Sequence, residues 1–256
     1  MILGAQLFTL RDYCKDLEGL EESIKKVAAM GYRSIQLSGV CAYEGEWVAE
    51  ICKKYGVTAD ITHYDYNKII NDTEETIKKH SVMNCKCIGI GVGPFGEAQT
   101  VEGLEQFYEQ IAPVLPKITA AGHKFMYHNH NWEFAKIGDK TFLDLVCEKF
   151  SPDEFGITLD TYWVQAGGAD PAALIRKLEG RIDRIHFKDM VYSPEDKATR
   201  IAPIGEGNMN YDEIVKACLE TGVEIAYVEL DNCYGADPFD CLKRSYDYLN
   251  SHYGLQ

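Results

Sequence analysis

Eight short β-like runs recur along the chain, near residues 2–8, 33–38, 57–62, 86–91, 124–130, 155–160, 182–188 and 225–231, with segments of helical apolar spacing between most of them. Leu17, Leu20, Ile24, Val27 and Ala28 follow i, i+3, i+4 spacing, and Gly31 stands where a helix would stop. Leu104, Phe107, Tyr108, Ile111, Val114, Leu115 and Ile118 repeat the pattern up to Gly122, with Pro113 and Pro116 placed to bend or split the helix. Phe142, Leu145, Val146 and Phe150 form a third case, and Ile214, Ala217, Cys218 and Leu219 before Gly222 a fourth. Gly31-Tyr32-Arg33, Gly56-Val57-Thr58 and Gly222-Val223-Glu224 each read as a helix end feeding a strand. Such alternation with short connections predicts a parallel α/β sheet, and eight is the number of strands that closes into a (β/α)8 TIM barrel. An open doubly wound sheet would carry a Gly-rich phosphate loop after its first strand. The first run instead leads into Gln6-Leu7-Phe8-Thr9-Leu10-Arg11-Asp12. The Gly89-Ile90-Gly91-Val92-Gly93 run lacks GxGxxG spacing and reads as close packing at a strand end. No linker or low-complexity tract interrupts the chain, so residues 1–256 are expected to form one domain.

Charge narrows the partners. With 40 acidic against 26 basic residues and a formal charge of −14, nucleic-acid binding is disfavoured, because duplex affinity rests largely on Lys and Arg neutralising phosphates. Nine cysteines, an odd number without a CxxC pair, read as small buried hydrophobes in a reducing compartment. The opening Met1-Ile2-Leu3-Gly4-Ala5-Gln6 has no basic segment followed by a long apolar one. No apolar run reaches the roughly 18 residues of a membrane span. A cytoplasmic protein with no membrane partner is the expectation, and homo-oligomerisation stays open.

Four of the β-like runs end on residues able to bind metal: Tyr127-His128-Asn129-His130-Asn131-Trp132-Glu133, Gly156-Ile157-Thr158-Leu159-Asp160, Ile185-His186-Phe187-Lys188-Asp189 and Tyr227-Val228-Glu229-Leu230-Asp231. In a parallel barrel the loops after the strands converge on one cavity. Residues two apart share a strand face, so Asp160, His186 and Glu229 are expected to project into that cavity from three successive strands. Two carboxylates and an imidazole, completed by a further Glu, suit Mn²⁺, Mg²⁺, Co²⁺ or Zn²⁺. Each residue has a plainer reading. Asp160 before Thr161 is a good helix N-cap, His186 could be a satisfied core histidine, and Glu229 needs a cation that Lys188 could supply. The fourth ligand is either Glu133 or His128. Phe8, Tyr64, Trp132 and Trp163 could wall a sugar-sized pocket or belong to the core.

The chain resembles the xylose isomerase-like TIM-barrel superfamily, in its sugar phosphate isomerase/epimerase branch. The matching segments run from Gly4-Ala5-Gln6-Leu7-Phe8-Thr9-Leu10-Arg11-Asp12 through Tyr127–Phe134, Leu159-Asp160-Thr161-Tyr162-Trp163 and Gly167-Gly168-Ala169-Asp170-Pro171. They continue with His186-Phe187-Lys188-Asp189, Gly205-Glu206-Gly207-Asn208 and Tyr227-Val228-Glu229-Leu230-Asp231. The resemblance implies one divalent metal held by Glu133 or the His128 position, with Asp160, His186 and Glu229. Two positions depart from the commoner pattern: His128 stands where many relatives end the fifth strand on Glu, and Gln36 where relatives often carry Glu.

It also implies isomerisation or epimerisation of a keto-sugar or related polyol derivative through an enediolate, with a small-molecule carbohydrate as the partner. His128, His130 and Glu229 are the candidates for moving protons, and Lys188 for holding the substrate oxyanion. Gln6, Gln36, His63, Trp163 and Glu206 are the expected lining residues. The same residues would serve a lyase performing β-elimination on 3-keto-glycosides. A non-catalytic sugar-binding barrel would show eroded ligands. A DNA-repair endonuclease of this fold needs about three zinc ions and a basic face, which the charge and the seven histidines oppose.

Overall fold

The computed structural model describes residues 1–95 and 99–256. Eight strands close into a barrel: β1 (Ile2–Gln6), β2 (Ser34–Leu37), β3 (Thr58–His63), β4 (Cys87–Ile90), β5 (Lys124–His128), β6 (Phe155–Asp160), β7 (Arg184–Phe187) and β8 (Ile225–Val228). Every neighbouring pair is parallel, in chain order, and β8 pairs back onto β1. Helices follow each strand, as a parallel sheet requires for its crossovers. All eight predicted runs are present, six of them shorter than the sequence pattern, Phe155–Asp160 the same and Thr58–His63 shifted by one residue.

The alternation of the strands sorts residues into two compartments. Leu3, Ala5, Ile35, Leu37, Ile88, Ile90, Phe125, Ile157, Leu159, Ile185, Phe187, Ala226 and Val228 face outward into the main core beneath the helices. The opposite face fills the lumen, where Ile61, Cys87, Met126, Ile225 and Tyr227 form a separate apolar cluster. Above that plug, the inward positions of β1, β2, β5, β6 and β7 are Gln6, Gln36, His128, Asp160 and His186, all buried. The fold thus lifts polar side chains off an apolar floor.

Local chemistry sets the element ends. β1 stops at Gln6 because its side-chain Oε1 accepts from the Phe8 N–H at 2.6 Å, turning Leu7–Leu10 into a 3-10 helix. The helix expected to bend at its prolines is split, into Val101–Ile111 and Leu115–Ala120, since Pro113 has no N–H to offer the preceding turn. Gly89 is required by crowding: a Cβ there would lie 2.6 Å from the Thr62 carbonyl oxygen. An antiparallel hairpin, Asp189–Ser193 with Ala198–Ala202, follows β7. Its short polar strand Ala198-Thr199-Arg200-Ile201-Ala202 had no apolar alternation to announce it.

Candidate metal centre at the barrel mouth

Four residues meet above the lumen plug. One donor atom each of His128, Asp160, His186 and Glu229 lies within 4.8 Å of every other, and all four residues are buried. His128 ends β5, Asp160 ends β6, His186 sits inside β7 and Glu229 follows β8, so the strand period itself aims them inward.

Their outer hydrogen bonds leave the inner atoms turned toward one another. His128 Nδ1 donates to the Gly91 carbonyl at 3.0 Å, so in the neutral ring Nε2 carries a lone pair, directed at Asp160 Oδ2 3.2 Å away. His186 Nε2 donates to Gln36 Oε1 at 2.6 Å, and its Nδ1 lies 2.9 Å from Glu229 Oε2 and 3.7 Å from Asp160 Oδ2. Neither His186 Nδ1 nor Glu229 Oε2 makes a well-formed hydrogen bond. Gln6 Nε2 takes the other Glu229 oxygen at 2.9 Å, and Asp160 Oδ1 caps the next helix by accepting from Trp163 N at 3.0 Å. Asp160 Oδ1 is therefore the helix cap, and Oδ2 is left facing the other three residues. Lone pairs facing carboxylates in a dry site call for a cation, and ring nitrogens tied back to a carbonyl and an amide are the arrangement that orients metal-binding imidazoles. The donor set fits a divalent ion of borderline hardness.

One cation is already built in. Lys188 Nζ lies 2.9 Å from Asp160 Oδ2, 2.9 Å from Glu229 Oε2 and 2.8 Å from Asp231 Oδ2, with the side chain 1% exposed. Burial alone would raise the Asp160 and Glu229 carboxyls, but Lys188 together with His128 and His186 holds both below the ordinary range. Burial would lower Lys188, yet the three carboxylates hold it well above its usual value. His186 is raised because Glu229 and Asp160 outweigh its burial.

Two further imidazoles border the centre. His63 and His128 rings lie 5.1 Å apart, and His128 and His130 4.7 Å. Burial, then the neighbouring imidazoles, keeps His63 well below its normal pKa, and burial and His128 bring His130 down to about 3. Both are neutral bases at physiological pH, with His63 Nε2 and His130 Nδ1 unpartnered. They line a cavity of about 280 Å³ with Phe8, Ser38, Glu229 and Asp231. Gly91 lies at its edge, where a Cβ would press to 2.8 Å from His63 Nδ1.

Other expected residues lie elsewhere. Glu133 is outside the group: its carboxylate accepts from Tyr127 OH at 2.7 Å, His130 N at 2.8 Å and Trp132 Nε1 at 3.0 Å. With three donors satisfied it braces the loop that carries His130, and His128 holds the fifth-strand position. Glu206 is exposed and ion-paired with Arg244, away from the cavity lining. Trp163 borders the centre, its ring 5.5 Å from His130 and 5.8 Å from the Lys188 ammonium. Trp132 stacks on His130 at 4.2 Å, whereas Tyr64 packs edge-on against His80. Asp231 was given no role from sequence, although its place two residues after Glu229 on the same face was the available signal.

Known structures share this architecture. A sugar phosphate isomerase/epimerase from Parabacteroides distasonis ATCC 8503 superposes with a TM-score of 0.80 at 21% identity, over 99% of this chain and 95% of that one. An L-ribulose 3-epimerase matches with a TM-score of 0.76 at 16% identity, over 98% and 94% of the two chains. A D-allulose 3-epimerase from Methylomonas sp. matches with 0.72 at 13% identity, over 98% and 97%. At these identities the likeness is one of fold. No curated protein matches the sequence. The family model of the xylose isomerase-like TIM barrel covers residues 17–250, and the chain belongs to that family.

Proposed function

We propose that this protein is a divalent-metal-dependent isomerase or epimerase acting on a keto-sugar or related polyol derivative. The observation that carries the reading is the convergence of one donor atom each of His128, His186, Asp160 and Glu229, with one ring nitrogen of each imidazole turned inward. Fold relatives that are ribulose and allulose epimerases support the same substrate class. His128, Asp160, His186 and Glu229 would hold the metal, which supplies polarisation of a substrate carbonyl and charge stabilisation for an enediolate.

The chain's other residues account for the remaining steps. A cavity of about 280 Å³ bordered by Phe8 and the imidazoles has room for a sugar. His130, neutral and with Nδ1 unpartnered, takes the proton from the carbon beside the carbonyl. The imidazolium so formed returns that proton to the neighbouring carbon, while His63 Nε2, neutral as well, faces the same cavity from another wall. Lys188 holds a substrate oxygen in its ionised form. Gln6 and Gln36 position Glu229 and His186 rather than touching the sugar.

The same cavity also suits β-elimination from a 3-keto-glycoside, in which an imidazole removes the α proton and, as the imidazolium so formed, protonates the leaving oxygen. This second reading uses the same metal.

Elemental mass spectrometry of protein purified without chelator, followed by Mn²⁺ addition with thermal melting, tests the metal. Near one equivalent, or a clear stabilisation, is expected in the parent and in neither Asp160→Ala nor His186→Ala. Incubating a ketose and a 3-keto-glycoside in D₂O and following them by NMR separates the chemistries. Deuterium at the α carbon without loss of the aglycone marks isomerase or epimerase action, whereas aglycone release marks elimination. Full activity in either variant would overturn the assignment.

A further inference from the structure

The ammonium of Lys188 shares the two oxygens on which the candidate metal ligands converge. Asp160 Oδ2 and Glu229 Oε2 each lie 2.9 Å from Nζ, and these atoms also face His128 Nε2 and His186 Nδ1. The third carboxylate, Asp231, lies outside the four-residue group. Of the three contacts, the one to Asp231, at 2.8 Å, has the angles of a hydrogen bond. The charges are also suggestive. Three carboxylates carry −3, which a single ammonium leaves at −2, whereas an ammonium and a divalent ion together bring the buried cluster to neutrality with the imidazoles uncharged.

We infer that Lys188 is an internal competitor for the metal: it occupies the ligand oxygens of Asp160 and Glu229 in the metal-free chain and withdraws onto Asp231 when a divalent ion binds. The inference rests on the metal-dependent reading above. It gives Asp231 a role no other contact explains, as the anchor that keeps a buried ammonium paired after two of its three partners are taken. An ammonium has three donors, so withdrawal frees two of them beside a cavity that Asp231 and Glu229 line. Metal binding therefore exposes the lysine to a substrate oxygen, and the ordered event is exchange of one cation for another. In the absence of metal the lysine neutralises carboxylates that would otherwise repel one another in a dry pocket.

The test is Mn²⁺ binding to chelator-treated protein, read from the free-Mn²⁺ electron paramagnetic resonance signal, with no substrate present. Lys188→Met should tighten Mn²⁺ at least ten-fold and lower the melting temperature of the metal-free protein. Asp231→Asn, which removes the refuge but keeps the lysine, should weaken Mn²⁺ at least several-fold. In the Lys188→Met background the same Asp231→Asn change should have no effect on Mn²⁺. Lys188→Met binding no more tightly than the parent, while His186→Ala abolishes binding, overturns the competition and leaves the metal site standing. If Lys188→Met does not fold, unchanged Mn²⁺ affinity in Asp231→Asn overturns it instead. Binding that His186→Ala leaves intact removes the metal reading and this inference with it.

Discussion

The two ends of the barrel handle buried charge in opposite ways. At the N-terminal end, Arg184 Nε donates to Asp60 Oδ2 at 2.6 Å and Nη1 to Glu224 Oε2 at 2.6 Å and the Asp183 carbonyl at 2.9 Å. Asp60 reaches this position because the β2–β3 register slips between Ile35 and Gln36, leaving Asp60 as the extra residue of a bulge. Beside it, Tyr227 OH, Ser34 Oγ and Thr58 Oγ1 form a closed chain of hydroxyls, with links of 2.8 and 3.0 Å. At the mouth, by contrast, Gln36 Nε2, His63 Nε2, His130 Nδ1, His186 Nδ1 and Glu229 Oε2 are buried without a well-formed hydrogen bond. Polar groups at the base complete one another. Those at the mouth are paired by charge through Lys188 but leave several hydrogen-bonding atoms without a partner. The strand C-termini are also where TIM-barrel sites sit, so the unpartnered atoms at the mouth agree with the proposed site.

Arg184→Ala is the sharpest way to break the base. Removing one side of a buried ion pair strands the other, and a loss of about 3–5 kcal/mol is expected in urea unfolding. Mn²⁺ affinity of the remaining folded protein should stay within a few-fold. The mouth should respond the other way. His186→Gln is expected to weaken metal binding at least about a hundred-fold, given that complete four-ligand zinc sites are worth about 10–16 kcal/mol, while changing the unfolding free energy of the metal-free protein by less than about 1.5 kcal/mol. Comparable destabilisation by both substitutions would erase the distinction between the ends. Gln36→Ala, which removes the partner of His186 Nε2, should weaken metal about 10–100-fold by loosening the ring's orientation; calorimetric titration would read it.

The smallest effect calibrates the rule on a histidine outside both ends. His80 Nδ1 donates to the Thr76 carbonyl at 2.7 Å and Nε2 accepts from Thr62 Oγ1 at 2.8 Å, and burial, outweighing that carbonyl, lowers its pKa to about 4. Above about pH 6.5 neither the folded nor the unfolded side chain is charged, and its contribution to stability is full. Between about 6.5 and 4 the unfolded chain takes up a proton that the folded one refuses. Over that range stability is therefore lost as the pH is lowered, by up to about 1.4 kcal/mol per pH unit for this group. His80→Asn should flatten the slope between pH 6 and 5 by close to one proton, measured by denaturant unfolding at each pH. An unchanged slope would mean that His80 titrates alike in both states.

The sequence carried much of this. The positions of all eight strands and the inward set Asp160, His186 and Glu229 follow from periodicities of 2 and 3.6, and the split at Pro113 and Pro116 from proline's missing N–H, all local properties of the backbone. The hairpin after β7 was not legible, because Asp189–Ser193 and Ala198–Ala202 pair mainly with each other and the second strand buries only Ile201 and Ala202, too few for an alternating pattern. The choice between Glu133 and His128 also lay beyond the sequence. It turns on Tyr127 OH, Trp132 Nε1 and the His130 N–H closing on Glu133, contacts made when the loop folds back on its own strand. The sequence by itself determined which residues face the lumen, since alternation is a property of each strand alone. Only the closed barrel decided which of those residues meet, because the register between strands far apart in the chain puts Lys188 beside Asp160, Glu229 and Asp231.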